Sequence, residues 1–351
     1  MADRRIDDKL AHIQAALDGG SEVPQGRGSA LTFGELRFLP RALPQVDLES
    51  VDLSTTFLGK PISAPLMIAP MTGGLAEGGA LNRRMAAAAE RFRLPFGVGS
   101  QRVALEQADR ASLFEVRSVA PTIPLMANLG AIQLKLGYGV DEARRAVDMI
   151  GADGLYLHLN AMQEVVQEGG DTSWSGVLEA IERLCNVWAR EGRDVPIFAR
   201  EVGFGLPADD ARRLLEAGVD GLDCAGGGGT SWSLVEGRVA RSDGHRRLGD
   251  VLAAWGLTTP EAILEVRRVH GTVPLVASGG IRTGLDVAKC IALGADVAGM
   301  ASPILSAAHE SEASVDELLR ACLAELRAVL FGVGAGNLPD FRSEPRLMGR
   351  R

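Results

Sequence analysis

The stretch Leu275–Ser302, LVASGGIRTGLDVAKCIALGADVAGMAS, decides the fold. It opens on an apolar run, Leu275–Gly280, without polar alternation. That is the pattern of a strand buried on both faces of a parallel sheet. Two glycines end the run, a helical pattern covers Leu285–Leu293, and a second apolar run, Val297–Ser302, stops on a small polar residue. Strand, helix and strand in that order form a βα repeat.

The same unit recurs toward the N-terminus. Apolar runs at Leu66–Met71, Pro95–Ser100, Leu125–Gly130, Leu155–Asn160, Pro196–Val202 and Gly221–Gly226 each end in a small or polar residue. Helical patterns over Ala80–Phe92, Asp141–Ile150, Trp174–Arg190, Ala208–Ala217 and Pro260–His270 lie between them, the last with Thr259 as its cap. Eight units from Leu66 to Leu330, with no linker, predict an α/β fold, a (β/α)8 TIM barrel, over a doubly wound open sheet. Residues 1–65 are then an N-terminal extension, with a helix at Ile6–Leu17, that contributes to the substrate site; 66–335 are the barrel and 336–351 a flexible, Pro/Arg-rich tail. The connection 227–258 is too long and polar for an ordinary βα loop and reads as a lid or a disordered segment.

Composition narrows the function. The 351 residues are 46% hydrophobic and 23% charged, which excludes a disordered chain, and 43 glycines without a three-residue period exclude collagen. A net charge of −8 argues against general nucleic-acid binding. No apolar stretch reaches the roughly 18 residues of a membrane span, and the N-terminus carries charges where a signal peptide has its apolar segment. Cys185, Cys224, Cys290 and Cys322 are isolated and read as reduced thiols of a cytoplasmic protein.

In such a barrel the site lies at the C-terminal strand ends. The glycines after strands 6, 7 and 8 (Gly226–Gly229, Gly279-Gly280 and the GMAS run) suit a phosphate held by backbone N–H groups, or simply end strands in tight turns. Arg200, at the end of strand 5, supplies a cation for developing negative charge or for an ion pair, but not with Glu201, which faces the other way. His158 and Asn160 share a strand face, and Glu164 beside amides suits Mg²⁺ if a diphosphate completes its shell. Lys9 and His12 share a helical face near a phosphate or in solvent.

These motifs resemble those of the FMN-dependent type 2 isopentenyl-diphosphate isomerases. The likeness runs from about Lys9 to Gly334 and rests on KLAHI, FLGKPISAPLMIAPMTGG, GVGSQR, ANLGA, HLNAMQE, EVGFG, GGGGTSW and LVASGGIRTGLDVAKCIALGAD. The resemblance implies FMN over the barrel mouth, contacted by Pro70, Met71, Thr72, Ser100, Asn128, Arg200 and Thr230, with its phosphate on Gly279, Gly280, Arg282, Ala301 and Ser302. It implies Lys9, His12, Arg102, His158, Asn160 and Gln163 at the substrate, Gln163, Thr72 and His158 as catalytic residues, and Glu164 on Mg²⁺. It further implies NADPH as reductant, reduced FMN as acid and base, a prenyl diphosphate substrate in isoprenoid biosynthesis and a homo-oligomer (tetramer or octamer). Two positions depart from the pattern: Arg200 stands where the family has Lys, and Asp8 where it has Arg. The alternatives are a diverged FMN barrel with another prenyl phosphate, a non-catalytic binder, or a hydroxy-acid oxidoreductase. The last needs a histidine base after strand 6, where this chain reads CAGGGGTSW.

Overall fold

The computed structural model describes residues 21–22, 30–71, 76–192 and 194–349. The predicted strands form one closed parallel barrel. They are β1 (Leu66–Ile68), β2 (Phe96–Gly97), β3 (Leu125–Gly130), β4 (Gly154–Leu159), β5 (Ile197–Glu201), β6 (Gly221–Asp223), β7 (Leu275–Ser278) and β8 (Val297–Met300). Neighbours in sequence are neighbours in space, and β8 pairs with β1 to close the ring. The outward residues of these runs, such as Leu125, Leu155, Ile197 and Leu275, pack under the surrounding helices in the main core. Burial on both faces is what made the runs continuous in sequence.

Every second side chain points into the barrel. Met67, Met126, Tyr156, Phe198, Val276 and Val297 form an apolar inner core. A hairpin of Thr55–Phe57 and Lys60–Ile62 plugs the floor, sending Phe57, Leu58 and Ile62 into the same cluster. Phe198 stacks edge-on against both Phe57 (ring centroids 6.1 Å apart) and Tyr156 (6.0 Å). Such contacts add about 1 kcal/mol each beyond area burial. Gly221 on β6 gives Phe198 its room, since a Cβ there would overlap the ring. Two residues further along β3 to β7 the inward positions change to Asn128, His158, Arg200, Asp223 and Ser278, which begin the polar mouth.

Three local expectations change. The connection 227–258 folds into two helices, Trp232–Val239 and Asp243–Leu252, which cross where Gly237 meets Gly249 with no space for a Cβ. The cap of the next helix is Thr258, not Thr259: its hydroxyl accepts from the Glu261 N–H, and the Glu261 carboxylate accepts from the Thr258 N–H. The tail expected to be flexible is docked. Residues Leu338–Ser343 form a helix capped by Asn337, and Leu347–Met348 pair antiparallel with Arg37–Phe38. Phe341 is fully buried with its ring 5.7 Å from that of Phe38, so two apolar anchors, Leu338 and Phe341, outweigh the polar composition. The Ile6–Leu17 helix lies outside the described residues.

The floor plug is tied to the barrel by Asp153, ahead of β4. Its carboxylate meets Lys60 at 2.7 Å and Arg117 at 2.8 Å and accepts from the Leu125 N–H. Burial alone would raise its pKa; Lys60, the Leu125 N–H and Arg117 outweigh that and hold it below the ordinary 3.8. A depressed carboxylate contributes stability above its unfolded pKa and loses it as pH falls through the folded one. Asp153→Asn is therefore expected to lower unfolding free energy by about 2 kcal/mol at pH 7. In denaturant titrations the gap between variant and parent should narrow below about pH 4.

Candidate active site

One cavity of about 590 Å³ opens at the C-terminal strand ends, within the usual range for a small-molecule site. Pro70, Met71, Ser100, Arg102, Asn128, His158, Asn160, Gln163, Glu164, Arg200, Thr230, Gly279, Gly280, Arg282, Ala301 and Ser302 all line it. Lys9, His12 and Thr72 lie outside the described residues. The strand order places β3 and β4 across the barrel from β7 and β8. The mouth therefore has two polar poles facing one another.

The pole over β7 and β8 is an anion cradle. Gly279 and Gly280 both have positive φ (99° and 70°), which turns the backbone after β7. A Cβ on Gly229 would come 2.7 Å from the Gly280 amide nitrogen, so the chain after β6 touches this turn backbone to backbone. The helix Ser302–Glu310 begins at the end of β8. Arg282 donates to the carbonyls of Gly228 (2.9 Å) and Gly280 (3.0 Å), which aims its guanidinium at the cradle. An anion already tests the fit. The Glu22 carboxylate accepts from Arg282 Nη2 at 2.9 Å and from Ser302 Oγ at 3.3 Å. Sequence reasoning missed Glu22, which comes from a segment bridged to Thr230. The donor set thus suits a phosphate.

Between the poles lies Arg200, 8% exposed, with its guanidinium carbon 5.6 Å from the centre of the Tyr156 ring. Its partner is Asp223 on β6, at 3.5 Å, a residue not expected at the site. Asp223 also accepts from Ser278 Oγ at 2.8 Å and the Ala225 N–H at 3.2 Å. Burial pushes the Asp223 carboxyl up, while Arg200 and the Ser278 hydroxyl pull it down. Glu201 turns away, as alternation requires, and accepts from the Gly203 N–H at 2.7 Å and the Phe204 N–H at 2.5 Å.

The pole over β3 and β4 gathers carboxylates and amides. Glu164 accepts from Asn160 Nδ2 at 2.8 Å and from the Asp171 N–H at 2.7 Å. Burial raises its pKa, and the nearby Asp171 and Glu236 carboxylates add to that. Gln163 Nε2 donates to Glu236 Oε1 at 2.7 Å. Glu236, 2% exposed, is the second residue that sequence reasoning missed; the helix Trp232–Val239 delivers it from the long connection. Arg102 is held by Glu106 at 2.8 Å and Asp171 at 3.5 Å. On β3, Asn128 Oδ1 lies 2.8 Å from His158 Nδ1. Among the described residues no three His, Cys, Asp or Glu side chains cluster as a ready-made metal site. One carboxylate fits Mg²⁺ when substrate phosphates complete the shell.

A barrel with an anion cradle after β7 and β8 and a buried cation at its mouth is compatible with an FMN-binding enzyme. The family described as FMN-dependent dehydrogenase matches residues 9–119 and 161–346. Curated relatives narrow this further. Isopentenyl-diphosphate delta-isomerase of a Synechococcus strain is 49% identical over 336 residues, covering 95% of this chain and 94% of its own. The proteins of the same name from a Nostoc strain and from Xanthobacter autotrophicus are 46% and 45% identical, covering 95% and 98% of this chain and 93% and 97% of theirs. The chain belongs to the FMN-dependent dehydrogenase family and, within it, to the isopentenyl-diphosphate delta-isomerases. Among solved structures, an (S)-mandelate dehydrogenase superposes with a TM-score of 0.64 at 20% identity, covering 97% of this chain and 91% of its own. A mandelate oxidase with an FMN adduct gives 0.61 at 20% identity, covering 96% and 92%. These two share the fold. Identity near one half favours the isomerase over hydroxy-acid oxidation.

Arg282→Ala removes the one side-chain cation found on the Glu22 carboxylate among the described residues. It is expected to weaken FMN binding by about 1.5–3 kcal/mol, roughly ten- to a hundredfold in Kd. Titration of the apoprotein with FMN, followed by quenching of flavin fluorescence, measures it.

Proposed function

We propose that this chain converts isopentenyl diphosphate to dimethylallyl diphosphate in isoprenoid biosynthesis, using FMN with NADPH as its reductant, and Mg²⁺ that Glu164 would help to hold. The observation that carries this reading is the pair of opposed poles in one cavity. The cradle of Gly279, Gly280, Arg282 and Ser302 suits one phosphate, and the pole of Arg102, Asn160, Gln163 and Glu164 suits a second anion with its cation. Reactant and product are at the same oxidation level, so the reaction needs a proton added at the terminal carbon and one removed from C2. Reduced FMN supplies that acid–base chemistry when bound.

The protein's own residues position the partners. Arg200, held beside Asp223, would offer its guanidinium to the flavin. Glu164 gives the cation an anchor that the neighbouring Asp171 and Glu236 carboxylates favour electrostatically. Gln163, tethered to Glu236, lines the cavity and would meet the substrate there. Lys9, His12 and Thr72 complete the substrate and flavin contacts on this reading. We assign the chain to the cytoplasm and to a homotetramer or homooctamer; no helix among the described residues is long and apolar enough to cross a membrane.

The decisive assay is anaerobic. Purified, FMN-loaded protein with NADPH and Mg²⁺ should convert isopentenyl to dimethylallyl diphosphate, and chelation should abolish turnover. Absence of conversion with the flavin fully reduced overturns the reading. Bleaching of the flavin by a 2-hydroxy acid without NADPH would point to the oxidoreductase instead. Glu164→Gln should raise the Mg²⁺ concentration for half-maximal rate by about tenfold or more, given that losing even an outer partner of a metal ligand costs 10–100-fold. Light scattering of the purified protein tests the oligomer.

A further inference from the structure

We propose that Asn128 is a positioning residue that fixes His158 in the tautomer with the proton on Nδ1, so that the neutral ring offers Nε2 as an acceptor. The contact itself, Asn128 Oδ1 to His158 Nδ1 at 2.8 Å, does not say which atom carries the hydrogen. The other end of the Asn128 amide does. Its Nδ2 donates to the Val98 carbonyl at 3.1 Å. A carbonyl cannot donate, so turning the amide over would set two acceptors against each other. Oδ1 therefore faces His158, and only a protonated Nδ1 can meet it.

The backbone of Asn128 is clamped as well. Its N–H donates to Gln101 Oε1 at 2.9 Å, and its carbonyl accepts from the Gln101 N–H at 2.9 Å. Gln101 is fully buried, and its own Nε2 donates to the Ala146 carbonyl at 2.8 Å. Val98 and Gln101 thus belong to the loop after β2, and Ala146 to the helix Val140–Ile150 behind β3. The ring lies over a residue without a side chain. A Cβ on Gly130, its partner across the β3–β4 ladder, would lie 3.1 Å from Nε2. An imidazole held by its other nitrogen in this way has its chemistry set by the hydrogen bond behind it.

The consequence for substrate rests on the isomerase reading. Toward a diphosphate, a neutral His158 with a lone pair on Nε2 offers no donor; the ring donates only as imidazolium. Asn128 was expected as a flavin contact, and this assigns it a second task through His158.

Nuclear magnetic resonance of FMN-loaded protein labelled with ¹⁵N-histidine tests the lock. The chain has five histidines, so the His158 signals are identified by their loss in His158→Gln. In the unaltered protein at a pH where the ring is neutral, Nδ1 should show the shift of a protonated nitrogen and Nε2 that of an unprotonated one. Asn128→Leu, which removes the acceptor, should move the ring toward the Nε2–H form, whereas Asn128→Asp, which keeps an oxygen there, should hold Nδ1–H. An Nε2–H ring in the unaltered protein overturns the proposal whether or not the leucine variant folds. An unchanged Nδ1–H ring in Asn128→Leu overturns it too. The tautomer is read without turnover, so a protein with the expected tautomer and no isomerase activity would refute the proposed function alone.

Discussion

Closing eight parallel strands forces every second side chain into an interior just wide enough for side chains to fill. The chain meets that constraint in two ways at two heights. Low in the barrel it uses bulk, with Tyr156, Phe198 and Met126 packed against a hairpin plug. One pleat higher, at the same faces of the same strands, it uses polar groups that hold each other: Asn128 with His158, Arg200 with Asp223, Asp223 with Ser278. A buried charge is tolerated there because its partner arrives from the adjacent strand with the register already set by the barrel. The site is therefore the continuation of the core by other means.

Much of this was legible in the sequence because burial on both faces leaves a strong trace. Runs such as LYLHLN and LVASGG show both the strand and the point where it turns polar, so the mouth residues on a strand could be named from position alone. The glycines were legible as close approach but not for all of their reasons. Gly279 and Gly229 serve the anion cradle, whereas Gly221 serves Phe198 below it, a distinction that needs the neighbouring strand.

What was illegible shares one cause: it depends on pairing between distant segments. Asp223 sits in an apolar run and looks like an interruption until β5 brings Arg200 beside it. Glu236 belongs to a connection that reads as a polar loop, and only the folding of that connection into a helix pair carries it to Gln163. The tail looked loose because Pro and Arg dominate it, yet two buried residues dock it and its last strand joins the segment at Arg37–Phe38. Composition averages over such anchors and so conceals them.

Glu22 gives the cradle an unusual starting state. The residue is tethered covalently to the chain and its carboxylate holds Arg282 and Ser302, so an incoming anion would have to displace it. A stray inorganic anion offers the same charge without the tether and has no other contacts to tip the exchange. A cofactor whose phosphate is joined to a ring that binds elsewhere in the cavity would bring its own tether. A built-in competitor of this kind would favour a ligand by its size and connectivity over one that offers charge alone.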